Sequence, residues 1–194
     1  MQLLRMFSND KYKGTRNYLN SQKKYEVLRT ILYFGISLSL YIAGYIATGN
    51  RMNLLTVVAV LGCLPASKSA VSMIMYLRYR GCSAENADRI EKHSQGLETL
   101  YDLVFTSYDR NYQVAHMTVK GNTICGFTQD KNFAEQAFYK HISDMLKADN
   151  YREASVKIFT DIQKYTERLE QMKELDAAEG NTAGILHTLK SISL

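Results

Sequence analysis

One stretch of this chain, residues 31–77, carries almost no charge, and that feature limits the possible folds more than any other. Its only charged residues are Arg51 and Lys68, and it contains no Asp or Glu. The first part, residues 30–48, would be about 28 Å long as a helix, close to the hydrocarbon thickness of a bilayer. Residues 54–77 form a second apolar segment after a short turn. The sequence therefore predicts a membrane α-helical hairpin of two transmembrane helices.

Basic residues flank this predicted hairpin, which we place at residues 30–80, and they set its expected orientation. Seven Lys or Arg residues precede the first segment, four follow the second within residues 78–92, and the connecting loop has only Arg51. By the positive-inside rule, we expect a multi-pass protein of the cell membrane with both termini in the cytoplasm. A cleaved signal peptide is the alternative for the first segment, but the basic lead-in is too long and a second apolar segment follows at once.

The charge balance also bears on the expected partners. A net charge of +5 with a pI near 9.0 would suggest nucleic-acid binding in a soluble domain. Residues 81–194, however, hold 13 basic and 17 acidic residues, so the excess positive charge lies beside the membrane segments. We therefore expect the lipid bilayer, with anionic lipid as the counter-charge, and no nucleic-acid partner.

The N-terminal segment, residues 1–29, is basic and has apolar residues at helical spacing. Tyr18, Tyr25 and Leu28 recur among lysines, which predicts a basic amphipathic helix on the cytoplasmic leaflet. A solvated lead-in, kept flexible by Gly14, is the alternative.

Lys68 decides how the second segment crosses the membrane. It lies about 22 Å along a helix that starts near Asn53 on the outer side, so it is expected near the cytoplasmic boundary, where it can snorkel to the headgroups. Pro65 would kink this helix, and Arg78 and Arg80 would anchor its end at the interface. The alternative is a buried charge that lines a pathway, which would need an acidic partner from another subunit.

Small residues recur at four-residue spacing on both segments. They are Gly35, Ser39, Ala43 and Ala47 on the first segment and Gly62, Ala66 and Ala70 on the second. Small residues let helix backbones approach closely in lipid, so these stripes predict helix packing. Packing within the hairpin and packing between copies of the chain both fit the pattern.

After Gly81 the pattern becomes that of a small cytoplasmic α/β (α+β) domain over residues 81–176. A helix is expected after Ser83, a strand at 100–108, and a hairpin of two strands around Gly121-Asn122. With that turn, Val119 pairs with Ile124 and His116 lies opposite Phe127.

The second half of the domain continues the alternation of helix and strand. A helix is expected over 132–149, a strand over 154–160, and a helix capped by Asp161. The predicted order is α-β-β-β-α-β-α, with a sheet covered on both sides, or on one side and by the membrane-proximal helix. Residues 177–194 are expected to be a linker and a short C-terminal tail.

The order α-β-β-β-α-β over residues 84–175 resembles the core of the restriction-endonuclease-like, or PD-(D/E)xK, folds, which include membrane-tethered bacterial domains. The chemistry of that family needs an Asp in one central strand and a Glu/Asp-x-Lys in the next, to hold Mg²⁺ and a water. Here the corresponding strands read QVAHMTVK and TICGFT, without a carboxylate. The resemblance therefore implies the fold without its metal site, and nuclease activity is not expected.

Other chemistry-bearing motifs give no assignment. The sequence contains no Gly-rich phosphate loop, and no hydrolase or metalloprotease motif stands in a suitable context. The three cysteines form no CxxC pair and the four histidines lack metal-ligand spacing, so no metal and no cofactor is expected. His116 and Cys125 lie on neighbouring predicted strands and could form a Cys–His pair. Residues of this kind on a half-buried sheet are more often packing groups, so no catalytic residue is assigned.

These observations favour a non-enzymatic membrane protein whose cytoplasmic domain is a scaffold that binds a protein partner or self-associates as a homo-oligomer. Two alternatives remain open. One is a membrane-anchored enzyme that uses the cytoplasmic sheet, with His116 and Cys125 as its candidates. The other is a subunit of an oligomeric channel, in which Lys68 and the small-residue stripes line or pack the path.

Overall fold

The computed structural model of the chain describes residues 12–175 and 181–194, which separate into two compact units. The first unit, residues 19–80, is the helical hairpin. The second unit combines residues 12–18 with residues 81–194 and contains the sheet.

The hairpin consists of helix α1, Tyr18–Thr48, and helix α2, Leu54–Arg78. Asn53 caps α2, because its side chain accepts a hydrogen bond from the Thr56 amide at 2.8 Å. Both helices are long and apolar enough to cross a membrane. Helix α1 starts well before the predicted span at residue 30, because no Gly or Pro interrupts the chain between Tyr18 and that point.

The predicted amphipathic N-terminal segment therefore does not form a separate helix from Tyr18 onward. Residues 1–11 lie outside the described part of the chain. Residues 12–18 belong to the second unit, and from Tyr18 the basic segment continues directly into the apolar part of α1.

The α/β unit follows the predicted element order and adds one helix. Its elements are α3, Ala84–His93; β1, Glu98–Thr106; β2, Asn111–Lys120; β3, Thr123–Phe127; α4, Glu135–Ala148; β4, Ser155–Phe159; α5, Ile162–Glu174; and α6, Thr182–Ile192. The predicted caps of α3 and α5 are observed, with Ser83 accepting from the Asn86 amide and Asp161 from the Gln163 amide.

The four strands form one mixed sheet in the order β1-β2-β3-β4. β1 and β2 are antiparallel, as are β2 and β3, whereas β3 and β4 are parallel and are connected through α4. The hairpin register is the one predicted from the Gly121-Asn122 turn, with Val119 opposite Ile124 and His116 opposite Phe127.

Both faces of the sheet are covered. One core packs α4 and α6 against the sheet around Phe105, Phe138 and Ile142, which are fully buried. The other packs α3 and α5 around Ile90 and Leu169. The sheet is therefore the middle layer of an α/β/α arrangement, which resolves the choice left open by the sequence.

Residues at both ends of this unit cover the free edge of β1. The Tyr101 amide donates to the Gly14 carbonyl and the Leu194 amide donates to the Val104 carbonyl, each at 2.8 Å. The Lys13 ammonium donates to the Ser193 carbonyl. A covered edge is protected from pairing with other chains.

The C-terminal segment is an integral part of the fold. Residues 181–194, predicted as part of a linker and tail, form α6, and its apolar residues Ile185, Leu186 and Leu189 enter the core. The short amphipathic pattern of this segment is thus satisfied inside its own domain, because a buried apolar face stabilises a helix too short to form alone.

Candidate functional site

A recess between α1 and α2 brings together two charged residues of the hairpin, one from each helix. Arg29 and Tyr33 of α1 and Pro65, Lys68 and Ser69 of α2 line it, and its volume is about 260 Å³. Ser39 and the other members of the small-residue stripe of α1 do not line this recess. The recess therefore combines a guanidinium, an ammonium and two hydroxyl groups at one level of the hairpin.

Hydrogen bonds between α1 and α2 hold the side chains at this recess in place. The buried Ser69 accepts a hydrogen bond from Nε of Arg29 at 3.2 Å, and its hydroxyl lies 2.9 Å from that of Thr30. Arg29 also forms an ion pair with Glu26 one turn earlier on α1. The Arg29 side chain is thus held by groups on both helices and is only 19% exposed.

Lys68 differs from Arg29 in its partners. Its side chain is exposed, and within residues 12–175 and 181–194 it makes no ion pair with a carboxylate. Of the described residues that line the recess, Arg29 and Lys68 are the cations, and Arg29 pairs with Glu26. Lys68 therefore brings to the recess a positive charge that no described carboxylate neutralises.

The two arginines at the end of α2 are also exposed. Arg78 is the last residue of the helix, and Arg80 follows the Tyr79 cap. An arginine in the last turn interacts favourably with the negative end of the helix dipole.

The two small-residue stripes have different surroundings. On α2, Ala66 is fully buried, and a side chain at Gly62 would meet the Ser37 hydroxyl of α1 at 2.7 Å. On α1, all four members of the stripe are exposed, and a Cβ at Gly35 would meet no atom within 4 Å apart from its chain neighbours and the backbone of its own helix. The α2 stripe thus faces its partner helix, whereas the α1 stripe is open.

His116 and Cys125 are both buried in the core between the sheet and α5. The His116 Nδ1 lies 2.6 Å from the Tyr165 hydroxyl, which is also 3.3 Å from the Thr118 hydroxyl. Burial lowers the pKa of His116 to about 3 and raises the pKa of the Cys125 thiol. At neutral pH the histidine is uncharged and the thiol is protonated, and His116 is engaged with Tyr165. This arrangement does not activate Cys125 as a nucleophile.

Sequence reasoning missed the roles of two buried polar residues. Asp102 lies within β1 with a φ of +56°, and its carboxylate accepts a hydrogen bond from the Cys82 amide at 2.7 Å. Tyr165 of α5 is the hydroxyl partner of His116. A charged residue inside an apolar strand was the one available signal for Asp102.

The outer surface of α3 and α5 carries charged side chains that form ion pairs with neighbouring side chains. Arg16 binds both Asp88 and Glu91 of α3, and His93 lies 2.8 Å from Glu170 of α5. Hydrogen bonds from Lys173 and His93 lower the pKa of the Glu170 carboxyl. No group of three or more potential metal ligands occurs within the described part of the chain, and β2 and β3 carry no carboxylate.

Comparisons with known proteins give no relative from which a role could be transferred. No family model, no curated protein and no solved structure matches this chain.

Proposed function

We propose that this chain is an integral membrane protein whose two helices cross the bilayer and hold the α/β unit at the cytoplasmic face as a non-enzymatic scaffold. The unit binds a protein partner or a second copy of the chain. The observation that carries this proposal is that the α/β unit combines residues that precede the hairpin in the sequence with residues that follow it.

Residues 12–18 and 81–194 form one folded unit, and the chain between them is the pair of apolar helices. Gly14 is hydrogen-bonded to β1, and Arg16 forms ion pairs with α3. A domain assembled from both segments requires the start of α1 and the end of α2 to be on the same side of a membrane. An even number of crossings satisfies that requirement, and two helices of suitable length are present.

The surface of the hairpin supports placement in lipid. Large apolar side chains are exposed along both helices, including Ile31, Ile46, Leu54, Leu64 and Val71, each at least 64% exposed. Exposed apolar surface on this scale is unfavourable in water and is expected where lipid or another protein covers it.

The position of the charged groups supports a cytoplasmic location of both helix ends. Lys68 lies at the level of Arg29, the last charged residue before the apolar part of α1, and both share one recess. This favours the snorkelling interpretation of Lys68 over a charge in the middle of the membrane. The excess of basic residues at the same ends supports the cytoplasmic side.

Two further features support a binding role over catalysis. The titratable groups with the largest pKa shifts, His116 and Tyr165, are enclosed in the core of the unit and are hydrogen-bonded to one another. The outer surface of α3 and α5, by contrast, offers charged side chains of both signs to a partner. The open small-residue stripe of α1 offers a surface for self-association within the membrane.

The proposal is tested by alkaline carbonate extraction of membranes, followed by determination of the size of the purified protein in mild detergent. We expect the chain to stay in the membrane and to migrate as a dimer or larger assembly. Release by carbonate would reject the membrane proposal. A monomer in detergent whose mass is unchanged on dilution or concentration would reject self-association and leave partner binding.

A further inference from the structure

We infer that the recess formed by Arg29, Tyr33, Pro65, Lys68 and Ser69 binds a phosphate group, supplied by an anionic phospholipid. The assignment of the source rests on the proposed membrane location. The phosphate chemistry itself rests on the geometry of the recess.

The first argument is electrostatic. Arg29 and Lys68 line the recess, and only Arg29 has a carboxylate partner, Glu26, within the part of the chain that the structure describes. An ammonium group near a membrane boundary is costly to leave without a counter-charge, because the surrounding dielectric is lower than that of water. A bound anion removes that cost.

The second argument is the kind of donor present. A guanidinium and an ammonium beside hydroxyl groups is a set of donors that suits a phosphate, which accepts several hydrogen bonds at once. Ser69 orients the guanidinium of Arg29 through its bond to Nε, so this donor is held in place before a ligand arrives.

The third argument is the shape and polarity of the recess. Its volume of about 260 Å³ leaves room for a phosphate with part of the attached glycerol. Pro65 and the ring of Tyr33 give it an apolar wall beside the cations. A phospholipid presents the same combination, a charged phosphate joined to an apolar body.

The fourth argument is position. Arg29 lies where the apolar part of α1 ends, and Lys68 of α2 shares its recess, at the level expected for the phosphate groups of the cytoplasmic leaflet. A lysine that only snorkels would contact headgroups without preference for one site. A built recess with a pre-oriented arginine predicts retention of individual lipid molecules.

The experiment measures lipids retained by the full chain in nanodiscs and after transfer to detergent, by native mass spectrometry. The probes are phosphatidylglycerol, which carries a net negative phosphate, and phosphatidylcholine, whose phosphate is neutralised by its own choline. We expect the Lys68→Gln variant to lower the apparent affinity for phosphatidylglycerol about tenfold, because a charge-assisted contact is lost. Lys68→Arg should retain the affinity within about twofold.

The matched control is Arg51→Gln, which removes one positive charge from the exposed loop at the opposite end of the hairpin. An equal loss in Lys68→Gln and Arg51→Gln would mean general attraction of anionic lipid and would overturn the site. Unchanged binding in Lys68→Gln would overturn it as well.

A second arm separates the source of the phosphate. Inorganic phosphate is titrated calorimetrically into the chain in phosphatidylcholine nanodiscs. Millimolar binding that Lys68→Gln abolishes would assign the recess to a free phosphate and overturn the lipid as its ligand. Carbonate extraction tests the membrane location independently. If the chain resists extraction but shows neither the expected lipid retention nor phosphate binding, only the phosphate site is rejected.

Discussion

His116 is the residue whose chemistry the fold changes most. Its imidazole is fully buried against Tyr101 and Tyr165, and burial lowers its pKa from 6.5 to about 3. The unfolded chain therefore binds a proton at His116 below about pH 6.5, whereas the folded chain does not. The contribution of this group to stability is complete above that pH and decreases as the pH falls toward about 3.

We expect the free energy of unfolding of the α/β unit to fall by roughly 2 kcal/mol from this group alone between about pH 7 and about pH 5. The measurement is urea-induced unfolding of the full chain in detergent, followed by near-UV circular dichroism. The His116→Gln variant should show a shallower pH dependence by this amount. An identical dependence in both proteins would contradict the burial of a neutral histidine.

Gly14 is the residue that allows the N-terminal segment to join the sheet. Its φ of +81° disfavours any residue with a Cβ, and a Cβ there would lie 2.7 Å from Cδ2 of Leu100. Gly96 has the same φ, but a Cβ there would meet no atom within 4 Å apart from its chain neighbours. The pair therefore separates backbone strain from steric overlap.

We expect Gly96→Ala to cost about 1 kcal/mol and Gly14→Ala about 2 kcal/mol or more, because only the second adds a clash with the core. Chemical denaturation of the full chain in detergent gives both values. Equal costs would mean that residues 12–18 do not pack on β1 as described.

At the scale of elements, the sequence was informative where contacts are local and uninformative where they are distant. The Gly121-Asn122 turn fixed the β2–β3 register, and the caps at Ser83 and Asp161 were readable because their partners lie two or three residues away. The packing of residues 12–18 and of the segment that contains α6 on β1 depends on contacts between residues roughly 90 positions apart in the chain. No local pattern specifies such contacts.

Helix α6 gives a direct test of one of these distant contacts. Leu189 is fully buried in the core, whereas His187 on the same helix is exposed. We expect Leu189→Ala to lower the free energy of unfolding by about 2–5 kcal/mol, the usual range for a core leucine replaced by alanine. His187→Ala should change it by less than about 0.5 kcal/mol. A small effect of both substitutions would contradict the packing of α6 in the core and would mean that residues 181–194 are a peripheral tail.

The candidate recess illustrates the same limit. Lys68 and Pro65 stood out in the sequence as unusual residues of an apolar helix, but Arg29, Tyr33 and Ser69 did not. Their role depends on the register between α1 and α2, which brings Ser69 to hydrogen-bonding distance of Arg29 and Thr30. The small-residue spacing was the same on both helices and could not show which stripe faces the partner helix.

That difference between the stripes predicts that a large side chain will affect self-association on α1 and the stability of the hairpin on α2. Gly35→Leu adds a side chain to open surface, so it should leave the hairpin intact and reduce self-association, measured as the mass of the protein in detergent. Gly62→Leu would overlap Ser37 and should destabilise the hairpin, seen as a lower melting temperature of the helical signal. An unchanged oligomer mass for Gly35→Leu would remove the α1 stripe as an interface.

For the whole molecule, the central claim is that both helices cross the membrane and return the chain to the side from which it started. The α/β unit, assembled from segments on either side of the hairpin, requires this arrangement if the helices are in lipid. Two exposed positions report on the two sides, Met52 in the α1–α2 loop and Tyr108 in the β1–β2 turn. The native Cys82 and Cys125 are buried, and Cys63 can be replaced by Ala to remove the exposed thiol.

The most direct test is labelling of right-side-out membrane vesicles with a membrane-impermeant maleimide, using the Met52→Cys and Tyr108→Cys variants in a Cys63→Ala background. We predict that Met52→Cys is labelled in intact vesicles and that Tyr108→Cys is labelled only after the membrane is permeabilised. Labelling of Tyr108→Cys from outside sealed vesicles, or equal labelling of both variants, would contradict a two-span hairpin with its α/β unit on the cytoplasmic side.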